Sequence, residues 1–393
     1  MAQRGDQPKP GEPAEYVDGL AEGAGRGRGA GLNPGNRFED VRLHVLGEYL
    51  DHRAQEEGAE GERCEQGEGE HRYQTQVLTD TSRTIINYVD PDKSPDIGMR
   101  WTINPYRGCE HGCIYCYARP THEYLGMSSG LDFETKIFAK RQAPTMLRRE
   151  LAHPKWRGEP IVMSGVTDPY QPIERKLRIT RGCLEVLAEC RQPVGIITKN
   201  RLVLRDLDLL TELARHGAVS VSFSITTLDA SLAQRMEPRT SHPRDRLKTV
   251  RRLRDAGVPV GVMVAPIVPG LNDREIPAVL QAAAEAGAQG AGYVLLRLPH
   301  QLKALFLDWL GREFPERASH VESLLRGARG GKLYDATHGE RGRGTGPVAE
   351  QVGRMFRVYA RRHGLDGRRG RGLSGAAFRP PRKEADGQMN LFG

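Results

Sequence analysis

The sequence predicts an α/β fold with a parallel sheet over residues 85–310, and three observations support this. Short β-rich runs alternate with amphipathic segments, the amphipathic segments end at glycine, and the runs are almost continuously apolar. Repeated strand–helix alternation is typical of a parallel sheet with helices outside, where strands are buried on both faces. The six predicted strand segments are 99–105, 159–168, 193–200, 219–229, 258–270 and 291–299.

Polar residues recur where these predicted strands end. Both an open doubly wound sheet and a barrel fit the alternation, but barrel folds place their active sites at the carboxyl ends of several strands. The pattern therefore favours a barrel, although strand ends are also polar simply because loops begin there. The residues concerned are Thr167, Asp168, Thr198, Lys199, Ser224, Thr226 and Arg297.

The flanking regions differ from the central one. Residues 1–80 are rich in Gly, Glu and Arg, and this composition predicts a largely disordered segment. A basic, helical extension is expected over 311–370, with one amphipathic helix in the stretch 344–365. Residues 371–393 are expected to form a disordered tail.

The positive charge is concentrated near the carboxyl end. The formal net charge is +8, yet residues 326–383 alone carry fifteen Lys and Arg against four Asp and Glu, a surplus of eleven. A cationic region on a near-neutral body indicates a polyanionic partner such as DNA, while a solvated tail explains the composition equally well.

Composition also bears on the compartment. The amino-terminal stretch has no apolar segment typical of export signals, and the longest apolar run, 260–270, is too short to span a bilayer. Three of the six cysteines lie within eight positions, which is unlike a secreted disulfide framework. We therefore expect a cytoplasmic protein with no membrane association.

The three clustered cysteines, Cys109, Cys113 and Cys116, have the spacing C-x3-C-x2-C. A structural zinc site usually has four ligands in two separated pairs; His111 is the available fourth ligand, but the second pair is missing. A disulfide leaves one thiol over. Iron–sulfur clusters are held by cysteine thiolates, and three of these would leave the fourth iron of a cubane open.

The stretch "CEHGCIYC" resembles the cluster motif of radical S-adenosylmethionine (SAM) enzymes. The flanking "NPYRGCEHGCIYCYARP" and the later "TDPYQPIE" are similar to their spore photoproduct lyase-like branch, and the resemblance covers roughly residues 85–310. It implies a partial (β/α)6 barrel of the TIM type, with a [4Fe-4S] cluster in a loop after the first strand.

The resemblance also implies the chemistry. The open iron would bind the amino and carboxylate groups of SAM, and one electron would then release a 5′-deoxyadenosyl radical that takes a hydrogen atom from the substrate. Such chemistry implies a reductant such as flavodoxin or ferredoxin as a partner. Cys109, Cys113 and Cys116 match the cluster ligands, and Tyr115 matches the aromatic residue near the adenine.

Further site residues follow from the same resemblance. In the lyase-like branch the second, third and fourth strand ends contact SAM, and the matching residues are Thr167, Lys199 and Ser224; Asp168 adjoins the first of these. The fifth strand end lies along the adenosine, where Asn272 is the polar candidate. An ordinary capping or core role is the alternative for each, and a cationic Lys199 suits the methionine carboxylate.

One departure concerns the hydrogen donor. Spore photoproduct lyases place a donor cysteine near the second strand end, but here that stretch reads "SGVTDPY", with Gly165 or Val166 at the corresponding place. Cys183 and Cys190 are expected to be buried on a helix. Tyr117 matches a tyrosine suited to hydrogen-atom relay, and a packed aromatic is its alternative role.

The last residues resemble a peptide that docks on the bacterial sliding clamp. Gln388, Leu391 and Phe392 form the pattern Q-x-x-L-F, in which an apolar pair would anchor in a pocket of the partner. With the cationic region, this pattern favours a DNA substrate.

Three functions follow from these observations. The first is a radical SAM enzyme that acts on DNA in the manner of a damage-repair lyase. An enzyme modifying RNA or protein is the second. The third is a non-catalytic iron–sulfur factor that associates with DNA and is tethered to the clamp.

Overall fold

The computed structural model describes residues 28–38, 74–92, 100–163, 165–367 and 372–381. The predicted clamp-docking peptide lies outside these ranges. No helix within them is long and apolar enough to cross a membrane.

Each of the six predicted strand segments contains a strand. The strands of the described chain are β1 (Gln76–Thr79), β2 (Ile86–Tyr88), β3 (Trp101–Ile103), β4 (Tyr106–Arg107), β5 (Lys136–Ala139), β6 (Ile161–Met163), β7 (Val194–Thr198), β8 (Val219–Ser224), β9 (Val260–Ile267) and β10 (Ala291–Leu295).

Seven strands form the main sheet in the order β10-β9-β8-β7-β6-β3-β2. Strands β3 and β6 to β10 run parallel, and β2 pairs antiparallel with β3 at one edge. A smaller sheet has the order β1-β5-β4. The end strands of the main sheet, β10 and β2, do not pair with each other, so the sheet is open. The predicted parallel α/β fold is therefore confirmed in the form of a partial barrel.

Helices connect the parallel strands and cover the sheet. The α-helices are α1 (Leu131–Thr135), α2 (Ala143–Leu151), α3 (Glu174–Leu177), α4 (Ile179–Cys190), α5 (Leu207–Arg215), α6 (Ala230–Met236), α7 (Pro243–Asp255), α8 (Ile276–Glu285), α9 (Leu302–Glu313), α10 (Ala318–Gly327) and α11 (Gly346–Arg362). Three 3-10 helices span Arg119–Leu125, Arg201–Asp206 and Asp273–Glu275.

The carboxyl-terminal extension covers the free edge of β10. The main-chain N–H groups of Ala291 and Leu295 donate to the carbonyls of Leu365 and Gly342, at 2.8 and 2.9 Å. Helix α11 packs its apolar face, including Val352 and Phe356, on β10 and α8. An uncovered edge strand would pair with other chains, so the extension protects the open side of the sheet.

Part of each segment expected to be disordered is ordered. Residues 28–38 pack over the loop that carries the three cysteines, with Ala30 and Leu32 buried. Residues 372–381 run along the amino ends of β6 to β8: the Ser374 N–H donates to the carbonyl of Gly217. The main-chain groups of these two stretches therefore find partners on the barrel, and the disorder expected for residues 1–80 and 371–393 as a whole stays a prediction.

Candidate cofactor site at the carboxyl ends of the strands

The three clustered cysteines lie in a loop between β4 and the 3-10 helix Arg119–Leu125. Cys109 and Cys113 are buried and Cys116 is half-buried, and none forms a disulfide. Gly108 and Gly112 have φ of +80° and +65°, which folds the loop back on itself. The three thiols lie close enough to influence each other electrostatically.

The donor set fits a cluster better than a single ion. Burial raises the pKa of all three thiols, so they need positive charge, such as iron supplies, to lie there as thiolates. Within the described ranges no three His, Cys, Asp or Glu side chains are arranged to hold one metal ion. In a cubane each thiolate binds a different iron, so its ligands need not converge on one point.

His111, the possible zinc ligand, is engaged elsewhere. Its Nδ1 lies 3.5 Å from Asp168 Oδ2, and its Nε2 lies 3.1 Å from Asn200 Nδ2. Burial lowers the pKa of His111 to about 4, against the opposing effect of Asp168. The imidazole is therefore neutral at pH 7 and joins the cysteine loop to the ends of two strands.

A buried arginine braces the loop from the other side. Arg119 Nε donates to the carbonyl of Cys113 at 3.0 Å, and its Nη1 donates to the carbonyl of Gly130 at 2.9 Å. Its Nη2 pairs with Glu134, and both side chains are fully buried. This pair holds the cysteine loop against α1.

The same carboxylate anchors the amino-terminal stretch. Glu134 accepts hydrogen bonds from the main-chain N–H groups of Gly29 and Ala30, at 3.0 and 2.9 Å. A Cβ at Gly29 would lie 1.9 Å from the carbonyl oxygen of Gly112, so only glycine allows this approach. Residues 28–30 therefore form a lid on the outer side of the cysteine loop.

Tyr115 is fixed by a second buried ion pair. Its hydroxyl donates to Glu237, which also accepts from the Thr226 hydroxyl at 2.5 Å and pairs with Arg246. Lys199 Nζ lies 5.7 Å from the centroid of the Tyr115 ring. These contacts hold the ring between the cysteine loop and the third and fourth parallel strands.

Lys199 lies at the end of β7 with its ammonium near the thiols. Burial lowers its pKa, while the Cys113 thiol and the Asp168 carboxyl oppose this shift. Asp168 receives the Lys199 N–H at 2.8 Å and the Thr198 hydroxyl at 2.8 Å. The carboxylate thus positions the lysine, and its oxygens are occupied by protein donors.

The other predicted strand-end residues also lie at this edge. The Thr167 hydroxyl donates to the carbonyl of Gly108 at 2.7 Å, which links the β6 end to the cysteine loop. Ser224 is buried at the end of β8, where its carbonyl accepts from Arg246 at 3.0 Å. Asn272 donates to the carbonyls of Thr226 and Pro266, so its amide nitrogen braces the loop after β9.

Tyr117 differs from its neighbours because its side chain is 46% exposed. The hydroxyl donates to the carbonyl of Gly165 at 2.7 Å, and the Arg297 guanidinium lies 4.9 Å from the ring centroid. The ring therefore lies at the mouth of the barrel, beside the second strand end. Cys183 and Cys190, by contrast, are buried in the core on α4, as expected.

Sequence reasoning missed the two ion pairs that shape the site. Arg119 and Glu134 are 15 positions apart, and Arg246 and Glu237 are nine apart, in segments with no recognisable spacing. Only the placement of Arg119 directly after the cysteine motif could have drawn attention to it.

Removing the Glu134 carboxylate is expected to destabilise the protein strongly. Glu134→Gln leaves the buried Arg119 without its counter-charge, a loss that typically costs about 3–5 kcal/mol of the free energy of unfolding. Glu322→Gln, which breaks the exposed pair with Arg326, should cost about 0–1 kcal/mol. Urea denaturation of both variants measures this difference; equal losses would contradict the bracing role of Glu134.

The comparisons with known proteins agree with this geometry. A sequence model of the Radical SAM superfamily matches residues 103–283. An uncharacterized protein of Mycobacterium tuberculosis (strain ATCC 25618 / H37Rv) is 40% identical over 230 residues, which are 58% of this chain and 68% of that protein. An uncharacterized protein of Methanocaldococcus jannaschii is 30% identical over 187 residues, 48% of this chain and 67% of that protein.

Solved structures show the same fold. Spore photoproduct lyase complexed with dinucleoside spore photoproduct is 18% identical, with a TM-score of 0.52 over 81% of this chain and 92% of that chain. A mutant of that lyase with bound AdoMet and dinucleoside spore photoproduct matches to the same extent. The chain belongs to the radical SAM superfamily, whose enzymes use a [4Fe-4S] cluster and S-adenosylmethionine.

Proposed function

We propose that this radical SAM enzyme acts on DNA and removes a hydrogen atom in a damage-reversing, lyase-like reaction. Three features support DNA as the substrate: the cationic carboxyl-terminal region, the fold shared with a lyase solved with a dinucleoside photoproduct, and the arginine beside Tyr117. RNA or protein substrates are the alternatives, and a non-catalytic iron–sulfur factor is the outcome if SAM is not cleaved.

The observation that carries the proposal is the position of Tyr117. It is a half-exposed aromatic residue next to the cluster ligand Cys116, and its hydroxyl is held on the carbonyl of Gly165. A phenolic O–H in this place can exchange a hydrogen atom with a substrate at the barrel mouth. Tyr117 is therefore the proposed relay.

In this proposal, the residues of the cysteine loop and the strand ends hold the [4Fe-4S] cluster and SAM. When bound, the cluster would supply the electron for reductive cleavage of SAM. Cys109, Cys113 and Cys116 ligate the cluster, and Lys199 offers a positive charge to the methionine carboxylate. The ring of Tyr115, fixed through Glu237, would lie beside the adenine.

Four further residues complete the proposed SAM site. Thr167 and Ser224 lie at strand ends that face the cofactor, and Asp168 acts through Lys199 by fixing its main chain. Asn272 shapes the loop along the adenosine through its bonds to Thr226 and Pro266. These residues orient SAM and exclude water from it.

The likeness to spore photoproduct lyase does not extend to a donor cysteine. Among the cysteines that the structure describes, the two outside the cluster loop are buried on α4. Gly165 or Val166 lies at the place where the lyase-like branch has its thiol, and Val166 packs against the cluster loop. The lesion and the final hydrogen transfer therefore differ from those of the lyase in this proposal.

The enzymatic proposal predicts reductive cleavage of SAM. Under anaerobic conditions with reconstituted cluster, SAM and dithionite, the wild type should form 5′-deoxyadenosine, measured by liquid chromatography. Cys113→Ala should form none above background because the cluster loses a ligand. Cys183→Ala, a buried cysteine on α4, is the matched control and should retain the activity; equal loss in both variants would contradict the assignment.

The substrate proposal predicts that damaged DNA is consumed. Ultraviolet-irradiated DNA should be converted faster than undamaged DNA or RNA, as measured by product mass. Tyr117→Phe should lower conversion by about tenfold or more, equivalent to about 1.4 kcal/mol in the barrier, because the relay O–H is lost. Tyr88→Phe serves as the control, and equal turnover of all three nucleic acids would overturn the repair function.

Clamp docking remains a prediction from the last residues. A pull-down with the bacterial sliding clamp should retain the full chain and lose it on Leu391→Ala or Phe392→Ala. Met389→Ala changes a position that the Q-x-x-L-F pattern of Gln388, Leu391 and Phe392 leaves free, so binding should persist. Retention of the Leu391→Ala and Phe392→Ala variants would remove the clamp as a partner.

A further inference from the structure

Two arginines from separate segments lie next to each other at Tyr117. Arg297 follows β10, and its guanidinium lies over the Tyr117 ring. Arg329 follows α10, and its Nη2 donates to the carbonyl of Leu296, the residue before Arg297. Like charges repel, so bringing two guanidinium groups together is costly unless an anion joins them.

Both arginines have a buried N–H group without a hydrogen-bond partner. Within the described part of the chain, Arg297 Nε and Arg329 Nη1 are both in this state. Arg329 is only 3% exposed, and its other terminal nitrogen donates to the carbonyl of Leu296 at 2.5 Å. Buried N–H groups are nearly always paired, so two orphans in one place indicate a missing acceptor.

The surrounding charge remains positive. Asp335 acts on Arg329, but it also lies 3.7 Å from Lys332 Nζ and accepts hydrogen bonds from Thr337. Residues 326–345 contain five Lys and Arg against two Asp and Glu. Arg326 is paired with Glu322 and Lys332 with Asp335, whereas neither Arg297 nor Arg329 forms a salt bridge with a carboxylate of the described residues.

The arginines also lie where a strand of nucleic acid could reach them. The loop between α10, near Arg329, and α11 runs along the edge of β10, since the Leu295 N–H donates to the Gly342 carbonyl at 2.9 Å. That edge borders the open side of the partial barrel, and Tyr117 is exposed beside it. An anion bound here would lie next to the proposed hydrogen relay.

We propose that Arg297 and Arg329 form a phosphate-binding subsite that holds the backbone of the nucleic-acid strand whose nucleotide faces Tyr117. This inference rests on the proposed function. Guanidinium groups present a planar fork of donors that matches phosphate oxygens, and phosphate contacts fix the register of a nucleic acid on a protein. The subsite would thus decide which nucleotide lies over Tyr117.

The test compares two single-stranded oligothymidylates of equal length on the cluster-loaded protein, by fluorescence anisotropy. One has natural phosphodiesters and the other has uncharged methylphosphonate linkages. Arg297→Gln and Arg329→Gln should each weaken binding of the natural strand by about tenfold, the typical loss for one charge-assisted hydrogen bond. Binding of the methylphosphonate strand should change little.

The control is Arg362→Gln on α11, which removes the same charge from an exposed position. It should bind the natural strand like the wild type. Because Arg329 is buried, circular dichroism checks its folding, and the less buried Arg297 keeps the test independent of that variant. Wild-type affinity in Arg297→Gln, or equal affinity of the wild type for both strands, would overturn the subsite.

This measurement needs neither SAM nor a reductant, so it is separable from the proposed function. Absence of 5′-deoxyadenosine in the wild type would reject the enzymatic proposal, whatever the arginines bind. Equal affinity of the wild type for the two strands would reject the subsite, even where SAM is cleaved normally.

Discussion

The buried pair of Glu134 and Arg119 is the interaction on which the cofactor site depends. The arginine bonds to the carbonyl of Cys113 in the cysteine loop and to that of Gly130 before α1, and the carboxylate receives the arginine together with two main-chain N–H groups of the amino-terminal stretch. A carboxylate with these partners satisfies a buried charge completely. One side chain therefore ties three separate segments around the thiols.

The parallel sheet supplies the opposite wall. Because six parallel strands end at the same edge, Thr167, Lys199 and Ser224 come together although they are far apart in sequence. The pair of Glu237 and Arg246 then connects this edge to Tyr115. The thiols consequently lie between two rigid supports, each built around a carboxylate and an arginine.

The sequence predicts the local features of this arrangement and misses the distant ones. Strand–helix alternation and the cysteine spacing are each visible within a short stretch of sequence, so the fold and the cysteine motif are recognisable. The contact of Glu134 with Gly29 spans 105 positions, and that of Tyr115 with Glu237 spans 122. No periodicity records such contacts, because they depend on how the barrel brings its loops together.

Residues 28–30 show why composition misleads. A stretch rich in glycine, arginine and glutamate has too few apolar residues to form a core, so disorder is the expectation. Here the stretch is ordered by main-chain hydrogen bonds and by the absence of a side chain at Gly29, which allows contact with Gly112. Order of this kind requires a surface elsewhere in the protein, and the sequence of the segment alone does not reveal that surface.

Charge compensation separates the residues that brace the site from those that can bind. Arg119 and Arg246 each have a buried carboxylate as partner, so their charges are already neutralised by the protein. Among the residues that the structure describes, Lys199, Arg297 and Arg329 share no salt bridge with a carboxylate, and the last two retain orphaned donors. A protein that neutralises its structural cations internally and leaves others unpaired at one edge is arranged to receive anions there.

Lys199 lies beside the thiols, where the carboxylate of a cofactor would bind, and Arg297 lies over Tyr117, where a substrate phosphate would lie. The two positions flank the hydroxyl proposed to relay the hydrogen atom.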